Sequence, residues 1–254
     1  MDEKTVLQEL ISMSQTLGKP ENDYVILGEG NTSGKVNDDF FYVKASGKYL
    51  SQSDEKTFVK VKMQDALGVL DKGELSDDQI KLELNAAKAD QSNPLMPSIE
   101  TTFHGFLLSL PGINFIGHTH ATAVNALLCS KNAKEIIMGG RLFPDEIVYC
   151  GIEPIFMEYQ DPGLGLARGI REETNAFIER NGCVPRVILI RNHGIIAVGK
   201  TAHEVEAITA MYCKSARVLL GATGFGGVNY LSEENVRRIY TRPDEELRIK
   251  QSGK

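Results

Sequence analysis

The stretch Ile113-Asn114-Phe115-Ile116-Gly117-His118-Thr119-His120 decides how this chain is read. Its apolar residues predict a strand over 113–117, and side chains in an extended chain alternate between faces. His118 and His120, at i and i+2, then share one face and can bind a single divalent metal. A second apolar run, Val187-Ile188-Leu189-Ile190, predicts a strand over 186–190. It leads into Arg191-Asn192-His193-Gly194 and a returning strand over 195–198, a hairpin with His193 in its turn. Three histidines at strand ends, with a fourth position open, suit a catalytic metal better than a closed structural site; each Zn–N bond would be about 2.0–2.1 Å.

The rest of the chain surrounds these strands with alternating patterns. Val6, Leu7, Leu10, Ile11, Met13 and Leu17 lie at near-helical spacing and predict a helix over 3–17. Gly28 to Gly34 reads as a turn between extended segments. Phe40 to Lys44 reads as a strand ended by Ser46-Gly47. Ser98 is the candidate N-cap of a helix from Ile99 to Ser109. Helices are also expected over Ala121–Leu128, over Gly165–Asn181 with Gly182 as terminator, and over Thr201–Leu220 with Thr201 as cap. Glu146–Tyr149 and Pro154–Met157 read as short strands. Residues 54–70 mix strand and helix signals, and 73–93 form a polar surface stretch. The charged C-terminal tail, with Pro243, is expected to pack on a partner or stay mobile. No repeat, low-complexity tract or linker interrupts the chain, so one domain over 1–254 is expected.

Composition narrows the class. With 254 residues, the chain can bury a full core without disulfides or structural metal. Apolar and charged contents of 42% and 24% are those of an ordinary globular protein. A net charge of −6 argues against a general nucleic-acid binder, which needs a basic face. It leaves room for a small basic pocket that takes an anionic metabolite. Cys129, Cys150, Cys183 and Cys213 are far apart, which disfavours a thiolate zinc knuckle or a thioredoxin-type motif and fits a reducing compartment. The N-terminus is polar and amphipathic, and no run is long enough to span a bilayer. A complete cytoplasmic chain is the expectation.

Glu100 is the next candidate. In the first turn of its helix a carboxylate complements the helix dipole. Beside a three-histidine metal it would instead fill the open position at rest and act as acid or base. Spacing does not choose between these. His104 and His203 fall on predicted helices and read as packed or surface helical histidines. Gly30-Asn31-Thr32-Ser33-Gly34, Ser46-Gly47-Lys48 and Ser98 are three small, polar, anion-friendly positions. None matches a Walker A loop or a dinucleotide fingerprint. Together with a metal triad they suggest a phosphorylated substrate chelated by the metal.

Gly30-Asn31-Thr32-Ser33, Lys44-Ala45-Ser46-Gly47, Pro97-Ser98-Ile99-Glu100-Thr101, His118-Thr119-His120 and Arg191-Asn192-His193-Gly194 follow in the order seen in the class II aldolase/adducin family. From about residue 25 to 220 the chain resembles that family. It looks closest to the aldolase half of rhamnulose-phosphate aldolase/alcohol dehydrogenase proteins. The resemblance implies an α/β fold, a three-layer α/β/α sandwich around a largely antiparallel sheet. It implies Zn²⁺, or another divalent transition metal, on His118, His120 and His193. Glu100 matches the catalytic acid/base that also approaches the metal at rest, and Asn31, Ser46, Gly47 and Ser98 match the substrate-phosphate positions. The implied activity is lyase chemistry: aldol cleavage of a phosphorylated ketose to dihydroxyacetone phosphate and an aldehyde through a zinc-stabilised enediolate. Epimerisation at C4, decarboxylation and dehydration of a related sugar phosphate are alternatives. An adducin-like scaffold is a further one, against which the presence of all three histidines and Glu100 argues. A homotetramer with interfacial active sites is implied, with a small sugar phosphate as the partner and neither nucleic acid nor membrane. Ile99 departs from fuculose-phosphate aldolase, which carries a second serine there, so one phosphate contact is missing or replaced. Tyr149 and Tyr159 do not sit in a motif matching the family's interfacial tyrosine.

Overall fold

Apolar side chains that alternate along the strands need cover on both faces, and helices supply it. The computed structural model describes residues 2–242; the tail around Pro243 lies outside the described residues. Among them, the strands β1 (Asn31–Lys35), β2 (Phe40–Lys44), β3 (Phe58–Lys62), β4 (Phe115–Thr119), β5 (Ile155–Met157), β6 (Val187–Ile190) and β7 (Gly194–Gly199) form one sheet, ordered β3-β2-β1-β4-β7-β6-β5. Neighbours are antiparallel except β5 and β6, which run parallel. The helices are α1 (Glu3–Leu17), α2 (Met63–Leu70), α3 (Asp77–Ala86), α4 (Thr101–Ser109), α5 (Thr122–Leu128), α6 (Ala133–Met138), α7 (Pro144–Cys150), α8 (Leu164–Asn181), α9 (Ala202–Thr223) and α10 (Glu233–Tyr240).

The two faces carry separate cores. Ile116, Ile188, Ile190, Ile196 and Val198 join side chains of α2, α3, α4 and α8 on one face. Phe115, Val187, Leu189, Ile195 and Ala197 join those of α1, α5 and α9 on the other. Successive residues of β6 and β7 thus serve opposite cores, which is why both strands read as unbroken apolar runs. Each fully buried valine, leucine, isoleucine or phenylalanine among them contributes about 1.5–3 kcal/mol. This is the expected three-layer α/β/α sandwich around a largely antiparallel sheet. No helix among the described residues is long and apolar enough to cross a membrane.

Several boundaries differ from expectation for identifiable reasons. Glu146–Tyr149 is helical, not a strand. Pro144 opens α7 at a position where its fixed φ suits a helix. The Glu146 carboxylate then accepts from the Leu142 N–H at 2.7 Å and from the buried Arg141 guanidinium at 3.2 Å. The segment read as a turn over 28–34 turns at Gly30, with Leu27 just before the segment also at positive φ, and from Asn31 onward is a central strand. Its polar side chains are tolerated there because each has a partner; Thr32 shares a 2.7 Å hydrogen bond with Ser14 of α1. The strand expected over 113–117 begins two residues later, after the turn at Gly112. Helix α4 also starts late, at Thr101, with Glu100 rather than Ser98 at its N-cap.

Candidate metal centre and active site

The three central strands, β1, β4 and β7, position the chemistry. On β4, Phe115 and Gly117 face α1 and α9, while Ile116 and His118 face α4. A Cβ on Gly117 would lie 2.8 Å from Val205 and 2.9 Å from Leu17, so the strand sits tight against that layer. His120 follows the strand end on the His118 side. His193 comes from the three-residue turn between β6 and β7, where Asn192 adopts φ 55°, a left-handed conformation that asparagine tolerates better than most residues. Glu100 enters from above, at the N-terminus of α4.

The histidines converge as expected. His118 Nε2 lies 3.2 Å from both His120 Nε2 and His193 Nε2. Ligands about 2.1 Å from a common ion at tetrahedral angles are about 3.4 Å apart, close to this spacing. The rings are steeply inclined to one another, at 68°, 86° and 71°, as around a shared point. His118 Nδ1–H donates to the Ile195 carbonyl at 3.0 Å. In a neutral ring its Nε2 is therefore bare and free to ligate. Burial pushes His118 down to about 3 and His120 to about 4 and also lowers His193, so all three favour the neutral form that binds metal. Such a donor set fits a divalent transition metal.

Glu100 faces this cluster. Oε2 lies 3.6 Å from His118 Nε2, and Oε1 lies 3.5 Å from His193 Nε2. Oε2 accepts from Asn31 Nδ2 at 2.6 Å, whereas the buried Oε1 has no hydrogen-bond partner. An acceptor left bare against three imidazole nitrogens is the arrangement an ion between them would complete. The carboxylate makes no capping bond to α4. Its place is set by Asn31 and the histidines, although the positive end of the helix still favours its charge.

The expected phosphate positions separate into two groups. Asn31 and Ser98 are buried and bonded to each other, Asn31 Nδ2 donating to Ser98 Oγ at 3.2 Å. Ser46 and Gly47 form an exposed turn beside the segment carrying Ser98. The Ser46 N–H donates to the Met96 carbonyl at 2.9 Å, and Ala45 bridges Pro97. A cleft of 390 Å³ opens beside His120, with Asp23, Glu29 and Cys129 in its walls. A larger cavity of 670 Å³, between α6, the end of α8 and α10, shares no lining residue with the histidine cluster. Tyr159 is half exposed and donates to Asp161 at 2.8 Å; Tyr149 packs within α7.

Two residues of this region carried no role in the sequence reading. Lys44 is buried and donates to the carbonyls of Gly28 at 3.1 Å and Lys48 at 2.5 Å. Burial lowers it to about 8, against the opposing pull of Glu100. A lysine amid the strand Phe40-Phe41-Tyr42-Val43-Lys44 was the available signal. His104, read as a packed helical histidine, is fully buried and bonded to Ser33 and Asn31. His203 is exposed on α9.

Known proteins share sequence and fold with this chain. Methylthioribulose-1-phosphate dehydratase of Bacillus subtilis is 27% identical over 81% of this chain and 87% of its own length. An uncharacterized oxidoreductase of the same organism, YuxG, is 26% identical over 92% of this chain, which spans only 33% of that protein. The N-terminal class II aldolase domain of a conserved Thermoplasma acidophilum protein superposes with a TM-score of 0.66 at 26% identity, covering 84% of this chain and 93% of that one. The sequence model of the Class II Aldolase and Adducin N-terminal domain matches residues 8–220, and the chain belongs to that family.

Proposed function

We propose that this chain is a metal-dependent lyase that cleaves a phosphorylated ketose to dihydroxyacetone phosphate and an aldehyde. The observation that carries the reading is the Glu100 carboxylate facing three converging Nε2 atoms, with one oxygen lacking any hydrogen-bond partner. His118, His120 and His193 would hold the ion, Zn²⁺ being the reading for this donor set. The ion would supply Lewis-acid polarisation of the substrate carbonyl. Glu100 handles the proton. As the C3–C4 bond breaks, the electron pair remains on C3 and the C4 hydroxyl passes its proton to the Glu100 carboxylate, leaving the aldehyde. Glu100 returns a proton to C3, so atoms and charge balance.

Dehydration is the second reading, favoured by the similarity to methylthioribulose-1-phosphate dehydratase. The same carboxylate would take a proton beside the carbonyl while a neighbouring hydroxyl leaves as water. Asn31, Ser46, Gly47 and Ser98 are the proposed phosphate contacts in either case. A cytoplasmic homotetramer is the proposed working form; Ile26, 63% exposed in the wall of the cleft beside His120, and its chain neighbour Leu27, 72% exposed, are the support for an interface there.

The test combines metal analysis with product identification. Wild type and Glu100→Ala should each retain about one divalent ion per chain, and His118→Ala should lose it. Wild type incubated with ketose 1-phosphates should release dihydroxyacetone phosphate, and Glu100→Ala should not. A diketone product without dihydroxyacetone phosphate would replace cleavage by dehydration. Absence of bound metal after reconstitution would sink both.

A further inference from the structure

We propose that His104 is a positioning residue: through a one-way hydrogen-bond relay from Ser33 to Asn31 it fixes the orientation of the amide that holds Glu100. The relay can be read atom by atom. Glu100 Oε2 lies 2.6 Å from the Asn31 amide, and an ionised carboxylate only accepts. The amide atom facing it must be the NH₂, so Asn31 Oδ1 faces the other way, toward His104 Nε2, with which it is hydrogen-bonded. A carbonyl oxygen only accepts, so His104 Nε2 carries a proton. A neutral imidazole has one N–H, which leaves Nδ1 bare to accept from the Ser33 hydroxyl at 2.7 Å. Every proton in the chain Ser33, His104, Asn31 points toward Glu100. Burial, which pushes His104 down to about 3, removes the doubly protonated ring that would break this polarity.

The backbone makes the relay possible. Asn31 and Ser33 sit at i and i+2 on β1 and so share the face under α4. His104 is one helical turn beyond Glu100, on the same side of α4. Phe103 stacks on its ring with centroids 4.5 Å apart and holds it in plane. Without the His104 proton, Asn31 Oδ1 loses its partner and the amide is held at its NH₂ end alone, by Glu100 Oε2 and Ser98 Oγ, so its plane is free to tilt. The carboxylate would then shift from its place opposite the histidine cluster. The proposal rests on Glu100 being the proton-handling group, but the tautomer of His104 is decided independently of any turnover.

The test has a spectroscopic and a kinetic arm. In ¹⁵N-histidine-labelled, zinc-loaded protein, His104 should show a protonated Nε2 and a bare Nδ1, and Ser33→Ala should keep that tautomer, because the Asn31 oxygen still accepts the Nε2 proton. His104→Leu should retain full metal content and near-normal KM while kcat falls about 100-fold, the scale of a small misplacement at a reacting centre. His104→Gln, whose side-chain amide still donates to Asn31, should recover roughly tenfold of that loss. A protonated Nδ1 in the wild type, or unchanged kcat in the leucine variant, would overturn the proposal. If the leucine variant does not fold, the Ser33→Ala tautomer and the glutamine variant's kcat decide it. If no substrate is turned over, the lyase reading fails while the tautomer arm still tests the relay.

Discussion

At Gly194, the first residue of β7, a single added carbon reaches the histidine cluster. A Cβ there would lie 2.5 Å from the Thr119 carbonyl and 2.9 Å from His120 Cδ2, in a backbone already fixed by the β4–β7 ladder. Gly194→Ala should therefore cost about 1–3 kcal/mol of stability from overpacking. Because His120 must yield, zinc affinity should also fall about 10–100-fold, as when a group that orients a ligand is lost; competition with a chelator would measure it, and unchanged affinity would count against the geometry. Lys44 poses a different constraint. Its ammonium ties Gly28 to Lys48 from a buried position, so Lys44→Met leaves two carbonyls without that donor. Thermal unfolding of that variant should show a loss of about 1–3 kcal/mol.

Helix α4 joins the site to the core. Thr101 to Leu108 are all buried, with Glu100 at one end and His104 a turn later. Phe103 packs flat on His104 and edge-on to His118 at 5.9 Å. Phe103→Ala should cost about 3–5 kcal/mol through lost burial and a residual cavity, and metal affinity should fall with it; chemical denaturation with and without zinc separates the two effects. How legible each element was follows from where its signal came from. Helices α1, α8 and α9 and the β6–β7 hairpin carried long periodic patterns, or a cap and terminator at the right places, and were readable. Strand β1 was not, because Asn31, Thr32, Ser33 and Gly34 are small and polar. They fit a central strand only through Ser14, His104 and Glu100, partners 18 to 71 residues away. Helix α7 was hidden by the β-branched pair Ile147-Val148, outweighed by Pro144 and the Arg141–Glu146 pair. The histidine triad was legible because i, i+2 alternation in a strand fixes its face. The hydrogen bonds that join Asn31 and His104 were not, since they belong to tertiary contacts.

Across the molecule, one sheet with both faces covered leaves its central polar groups without solvent, and this sets how stability responds to acid. His104 and His118 are fully buried and neutral, held down to about 3 from an ordinary 6.5, with burial the main cause. The unfolded chain takes up these protons as pH falls through about 6.5, while the folded chain refuses them until near 3. The unfolded state then binds more protons, so stability falls as pH falls within that window, by up to about 1.4 kcal/mol per pH unit for each such histidine. Metal-free protein unfolded in urea at a series of values between pH 7 and pH 5 should show this slope. The range above pH 5 keeps most carboxylate titration out of the measurement. His104→Gln removes one of the rings and should lower the slope by about one histidine's share. Zinc should raise stability with little change in that slope, because the folded rings hold no proton for the ion to displace in this window. Stability that stays flat from pH 7 to pH 5 in the metal-free wild type would mean that these rings accept protons in the fold, contrary to their burial.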